Sequence, residues 1–140
     1  MTPKKNYQKI LENELERIKN SGNIPTLLLH SCCAPCSSYV LEYLTEYFNI
    51  ILYYYNPNIS RSGEYRKRVE EQKRLIRQLP AKHPISFLDG PYEPERFYEM
   101  AKGLEQVPEG GERCTRCFRL RLGKTAALAA REGFDYFTTT

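Results

Sequence analysis

Five cysteines in two clusters, Cys32-Cys33-x-x-Cys36 and Cys114-x-x-Cys117, constrain this 140-residue chain more than any other feature. A single Cys-x-x-Cys serves a dithiol catalyst, half of a zinc site or part of an iron–sulfur ligand set. Two of them separated by 77 residues act on one centre only if the fold brings them together, so the spacing predicts a tertiary contact. A chain of this length can bury a sizeable core without disulfide staples, which leaves the thiols free for chemistry. The first twenty residues are Lys- and Glu-rich and do not resemble a secretory signal, and no apolar run approaches membrane-spanning length. The expectation is a cytoplasmic protein without membrane association, in a reducing compartment where thiols bind metals or do redox work.

Hydrophobic periodicity places the clusters. Tyr7, Ile10, Leu11, Leu15 and Ile18 recur at helical spacing up to Gly22, which suits a C-terminal cap. Thr26 to Ser31 reads as a buried strand, and Tyr39, Val40, Tyr43, Leu44 and Tyr47 mark one face of the next helix, with Cys32 to Cys36 in the turn between them. Ile50 to Tyr55 is a second strand, broken by Asn56-Pro57-Asn58. A basic helix from about Ser62 to Leu79 follows, with Tyr65, Val69, Ile76 and Leu79 inward and Pro80 closing it. Ile85 to Asp89 makes a third strand and Glu95 to Gly103 a short helix. Gly110-Gly111 leads to a last helix from about Arg116 to Arg131, and Phe134 to Thr140 begins a fourth strand.

Strands alternating with helices predict an α/β fold: one Rossmann-like domain, residues 25–140, with a parallel sheet flanked by helices and a helical extension at residues 1–24. Ligands of such sheets bind outside the carboxyl ends of the strands, where the loops after the first three strands collect both cysteine clusters and Asn56 to Arg61. The final segment reads as a strand entering a sheet, so a C-terminal portion is expected to be missing.

The chemistry stays open at this level. Cys36 falls at or just inside a helix start, where the helix dipole favours a thiolate, and Arg113, Arg116, Arg119 and Arg121 surround the second pair. Four sulfur ligands suit zinc or a 4Fe-4S cluster equally. A zinc knuckle pinning two loops, in a zinc-stabilised RNA-binding module, is one reading. A thiol-disulfide oxidoreductase built on Cys33-Ala34-Pro35-Cys36 is another, which leaves Cys114 and Cys117 unexplained. The net charge of +4 is concentrated between Arg61 and Arg77 and around the second cysteine pair, both of which look like phosphate-facing surface. The strand order also suggests ATP-pyrophosphatase-like folds, but cysteines stand where their phosphate loop belongs, so no ATP use is expected.

Three linked segments carry a family resemblance: Leu27 to Cys36, then Tyr55-Asn56-Pro57-Asn58-Ile59 with Glu64-Tyr65-Arg66, then Glu109 to Leu122. Together they resemble the QueH-type epoxyqueuosine reductases over nearly all of Thr26 to Thr140. The resemblance implies reduction of the epoxide of epoxyqueuosine at the wobble position of tRNA, by an iron–sulfur enzyme fed by a donor such as a ferredoxin or flavodoxin. It implies Cys32, Cys33, Cys114 and Cys117 as ligands of a 4Fe-4S cluster. Cys36 keeps three roles open, namely ligand of a second iron, redox thiol or inert helix-capping residue. Tyr55 and Tyr65 are expected as proton donors or stacking surfaces, Asn56 and Asn58 as hydrogen-bonding groups for the modified base, and Arg66, Arg68, Arg113 and Arg121 as phosphate contacts. The family pattern continues past Thr140 with a Ser-Pro-His type segment and, in many members, a further cysteine pair.

Overall fold

In the computed structural model, which describes residues 2–140, each of the first three strands is followed by one or two helices that return the chain to the start of the next strand. The elements are α1 (Tyr7–Ser21), β1 (Thr26–His30), α2 (Ala34–Leu44), β2 (Asn49–Tyr54), α3 (Ser62–Gln78), β3 (Ile85–Asp89), α4 (Pro94–Ala101), α5 (Glu112–Glu132) and β4 (Tyr136–Thr139). The four strands form one parallel sheet in the order β3-β2-β1-β4, the α/β arrangement expected. The order grows outwards from β1 to β3 and then jumps back to place β4 on the free side of β1. That reversal is a topological switch point, with the carboxyl ends of β1 and β4 side by side.

Alternation along the strands divides the interior. Leu27, Leu29, Ile50, Leu52 and Tyr54 face one core with Leu15 and Ile18 of α1, Leu41 and Leu44 of α2, and Tyr65 and Val69 of α3. Leu28, Tyr53 and Tyr55 face the other, with Ala129 of α5. α1 is therefore built into the main core. Asn6 caps it by accepting the Lys9 amide at 3.1 Å, and Gly22 ends it at φ 75°. Its first turns stand clear of the core, leaving Tyr7 73 % exposed.

Two element readings are corrected. The inward line of α2 is Ser37, Leu41 and Leu44, whereas Tyr39 is exposed. Leu44 is buried and Val40, Tyr43 and Tyr47 pack against the core as expected, but Tyr39 stacks outside on Tyr43, whose ring meets Tyr47 edge-on. α5 begins at Glu112, four residues before the expected Arg116, so Cys114 joins Cys117 inside its first two turns and does not lie in a loop before it. Among the described residues no helix is long and apolar enough to cross a membrane.

Candidate metal centre at the carboxyl rim of the sheet

The chain leaves β1 at His30 and enters α2 at Ala34, so three residues make the turn and two of them are cysteines. Cys33 is the N-cap in extended conformation and makes no side-chain capping bond, while Pro35 sits in the first turn, where its missing N–H costs nothing. This turn brings the sulfurs of Cys32, Cys33 and Cys36 within 4.8 Å of one another, unbridged. Cys32 and Cys33 sulfurs are 3.9 Å apart, and those of Cys33 and Cys36 share a hydrogen bond across 2.9 Å. Burial pushes the Cys33 thiol up, but hydrogen bonds from the Cys36 side chain and amide and from Cys32, with the Arg68 charge, outweigh it and leave Cys33 lowered. The bond to Cys33 and the charge of Cys32 hold the Cys36 thiol up at about 12.

A buried polar network fixes the backbone of this turn. Gln72 of α3, fully buried, donates through Nε2 to Ser31 Oγ at 2.7 Å and reaches Ser37 Oγ at 3.4 Å, and the two serine hydroxyls are bonded to each other. Ser37 Oγ donates to the Cys33 carbonyl at 2.8 Å, and Tyr54 donates to the Cys32 carbonyl at 3.4 Å. Asn56 donates through Nδ2 to the Ser31 carbonyl at 2.8 Å. Three consecutive carbonyls are thus held by side chains from α2, β2 and the loop after β2, with Gln72 of α3 fixing the serine hydroxyls behind them, leaving the sulfurs little backbone freedom. Below them His30 bonds the Tyr55 carbonyl through Nε2 at 2.7 Å. Since a carbonyl only accepts, Nε2 carries the proton and Nδ1 accepts from Thr139 at 3.0 Å, which ties β1 to β4. Burial lowers the pKa of His30 and favours this neutral form.

Cys114 and Cys117 open onto the same rim, because α5 runs back towards the start of β4 and so begins where the strands end. The Gly110 amide donates to Cys114 Sγ at 3.3 Å. Burial pushes the Cys117 thiol up, and the Arg121 charge opposes this. Arg121 also acts electrostatically on His30, which places α5 beside the end of β1. A cavity of about 240 Å³ lies here, lined by Asn58, Phe97, Arg113, Cys114, Cys117, Phe118 and Arg121. The group that closes to ligand distance is nevertheless Cys32, Cys33 and Cys36, with neither Cys114 nor Cys117 in it. An unbridged thiol triad at a switch point, with two more thiols on the same rim, fits a thiolate-bound metal by donor chemistry.

The other expected residues divide by position. Asn58 is exposed between this cavity and a second one lined by Arg61 and Arg68. Arg68 stands near Cys33 and is ion-paired with Glu64 at 2.9 Å. Arg113 donates to the carbonyls of Leu104 and Glu105, closing the loop before α5. Arg66 lies away from the thiols, in a cleft between α3 and β3. Asn56, expected to face the base, is 1 % exposed and faces Ser31. Tyr55 and Tyr65, expected as proton donors or stacking surfaces, are core side chains. The Tyr55 hydroxyl donates to Glu93 at 3.2 Å and burial raises its pKa to about 12, while the Tyr65 ring packs on Tyr54 and Tyr92. Sequence reasoning missed Gln72, Ser31, Ser37 and Tyr54. A signal existed for Gln72, which falls on the inward line of α3 between Val69 and Ile76 and is polar there.

Comparison with known proteins gives this rim a family context. Residues 27–140 match the family model described as epoxyqueuosine reductase QueH. The chain is 44% identical over 136 residues to the epoxyqueuosine reductase QueH of Staphylococcus epidermidis, an alignment covering 94% of this chain and 57% of that protein. It is 39% identical to that of Streptococcus pyogenes, covering 96% and 53%, and 45% identical over 114 residues to that of Haemophilus influenzae, covering 81% and 45%. The chain spans about half the length of the curated relatives it matches.

Proposed function

The chain belongs to the QueH family of epoxyqueuosine reductases, and on that premise we propose that it reduces the epoxide of epoxyqueuosine in tRNA to the alkene of queuosine in the cytoplasm. The reaction breaks both carbon–oxygen bonds of the epoxide and forms a carbon–carbon double bond. It takes up two electrons and two protons and releases the oxygen as water. The electrons come from an external protein donor of the ferredoxin or flavodoxin class. The observation that carries this reading is the unbridged triad of thiols at the switch point, with Cys114 and Cys117 delivered to the same rim by α5.

Cys32, Cys33, Cys114 and Cys117 are the proposed ligands of a 4Fe-4S cluster, with Cys36 available to a second iron. Such a cluster, when bound, supplies electrons singly and Lewis acidity towards the epoxide oxygen. The rest falls to the chain's own residues. The Gln72 network keeps the three sulfurs of the first turn aimed outwards, and Arg68 and Arg121 supply positive charge beside thiolates that would otherwise repel one another. Asn58, which lines both rim cavities, is the proposed contact to the modified base. Arg61 and Arg68 line the path that flanking phosphates would take.

The test is anaerobic purification followed by metal analysis and nucleoside mass spectrometry of epoxyqueuosine-bearing tRNA incubated with the protein and a reductant. The expected result is a brown protein with about four irons per chain and conversion of epoxyqueuosine. Cys114→Ala is expected to lose iron and turnover together, and full iron with full turnover in that variant overturns the ligand set. One observation favours a second reading: Cys33 lowered and Cys36 raised is the pattern of a dithiol catalyst. Metal-free protein that reduces insulin disulfides would establish it.

A further inference from the structure

Arg121 is 91 % buried (9 % exposed), yet among the described residues no carboxylate lies within ion-pairing distance of it. Its Nε donates to the Cys117 carbonyl at 3.4 Å within the same helix, and its charge faces the Cys117 side chain. The one group of opposite charge beside it is the Cys117 sulfur when that is a thiolate, and a buried guanidinium so sparsely answered is costly, persisting where a further anion or an electron-rich ring is to be met. Arg121 lines the 240 Å³ cavity between α4 and α5, with its guanidinium carbon 4.8 Å from the centre of the Phe118 ring. Phe118 is itself 53 % exposed, an unusual state for a phenylalanine facing a cavity, and Phe97 of α4 lines the same space. No acidic side chain lines it. Its volume is below the roughly 300–1,000 Å³ of clefts that take whole drug-sized ligands, and suits a single ring system.

We propose that this cavity takes one unstacked nucleotide of the RNA, its base lying against Phe118 and Phe97 and its anionic backbone answering Arg121, so that the nucleotide is held beside Cys114 and Cys117. The proposal rests on the RNA reading given above. It adds Phe118 and Phe97 as the surfaces that hold the base, and it gives Arg121, which already faces the Cys117 sulfur, a second role towards the RNA. Aromatic stacking with a neighbouring arginine is how single-stranded nucleic acid is gripped when base edges must stay free for chemistry.

The experiment uses the iron-loaded full chain and a fluorescent anticodon stem-loop RNA carrying either epoxyqueuosine or guanine at the wobble position, with binding read by polarisation and iron content read for every variant. Phe118 is exposed, so its replacement does not threaten the fold. Phe118→Leu keeps apolar bulk and loses the stacking face, and is expected to weaken binding about 5- to 100-fold. Phe118→Trp is expected to stay close to wild type, and Arg121→Gln to weaken both RNAs, with iron content unchanged in both Phe118 variants. Wild-type binding left intact by Phe118→Leu overturns the pocket alone, while a wild-type protein that binds neither RNA overturns the pocket and the RNA reading together. Unchanged RNA binding with slower electron uptake from a donor protein overturns it in favour of a protein-docking face.

Discussion

Gln72 shows how much of this site depends on one side chain far from it in sequence. Its amide joins Ser31 and Ser37 in a buried network that ends on the Cys33 carbonyl, so its loss leaves two buried hydroxyls short of a partner. Gln72→Leu is expected to destabilise the protein by about 1–3 kcal/mol in urea titration, the cost of leaving such groups unsatisfied. It is also expected to lower the metal content, because the turn that aims the three sulfurs loses its support. Unchanged stability and metal content would show that the serine pair alone holds the turn. The cysteines themselves were legible because thiols in paired spacing have few uses. Gln72 was not, because its meaning depends on what α2 and β1 put opposite it. The tyrosines make the same point through strand parity. Tyr54 and Tyr55 are adjacent in sequence, but alternation points Tyr54 towards α2 and α3 and sends Tyr55 to the far face, against α5. Expecting Tyr55 at the thiols meant choosing the wrong face of β2, for which a run of three tyrosines offers no cue.

At the scale of elements, the strands and most helices followed from periodicity, but the start of α5 did not. Gly110-Gly111 read as a flexible approach because no Ser, Thr, Asp or Asn stands there to announce a cap. Both glycines are instead demanded by geometry. Gly110 has φ 86°, and a Cβ on Gly111 would come within 2.6 Å of Val107 Cγ1 and 3.0 Å of the Pro108 carbonyl oxygen. Gly111→Ala is therefore expected to cost about 1–3 kcal/mol by overpacking and to displace the first turn that carries Cys114. Adding Val107→Ala removes the nearer contact and should recover a large part of the loss, a coupling that a double-mutant cycle measures directly. α1 offers an independent test. Glu14 accepts from Arg17 and, at 2.5 Å, from Tyr136 of β4, and these bonds hold its carboxyl down at about 2 against an ordinary 4.5. A depressed carboxylate contributes stability above its unfolded pKa, which is lost as pH falls from about 4.5 towards 2. Glu14→Gln should flatten the fall in melting temperature over that interval, and a variant with the wild-type acid limb would show that this tie does not contribute.

For the molecule as a whole, parallel strands with returning helices put strand carboxyl ends and helix amino ends on one rim. The starts of α2, α3 and α5 all lie there, and none of their N-caps makes a side-chain capping bond. Their first-turn amides and dipoles therefore add to the field of Arg61, Arg68 and Arg121 instead of being satisfied internally. A net charge of only +4 conceals this, since Glu64, paired with Arg68, is the one carboxylate among the described residues that lines either of the two rim cavities. If the chain binds RNA as proposed, the expected consequence is a binding energy that depends on salt in proportion to the phosphates engaged. Arg61 is exposed, lines the cavity beside Asn58 and has no ion-pair partner among the described residues, so it is free to meet a phosphate. Arg61→Gln is expected to weaken epoxyqueuosine- and guanine-bearing stem-loops equally and to reduce the slope of log affinity against log salt by about 0.7, the value for one contact to single-stranded nucleic acid. Phe118→Leu, by contrast, should lower affinity and leave that slope unchanged, because stacking releases no counterions. If both variants moved the slope alike, the rim would be acting as a uniform basic surface, and the division of labour between a phosphate path at α3 and a base pocket at α5 would be wrong.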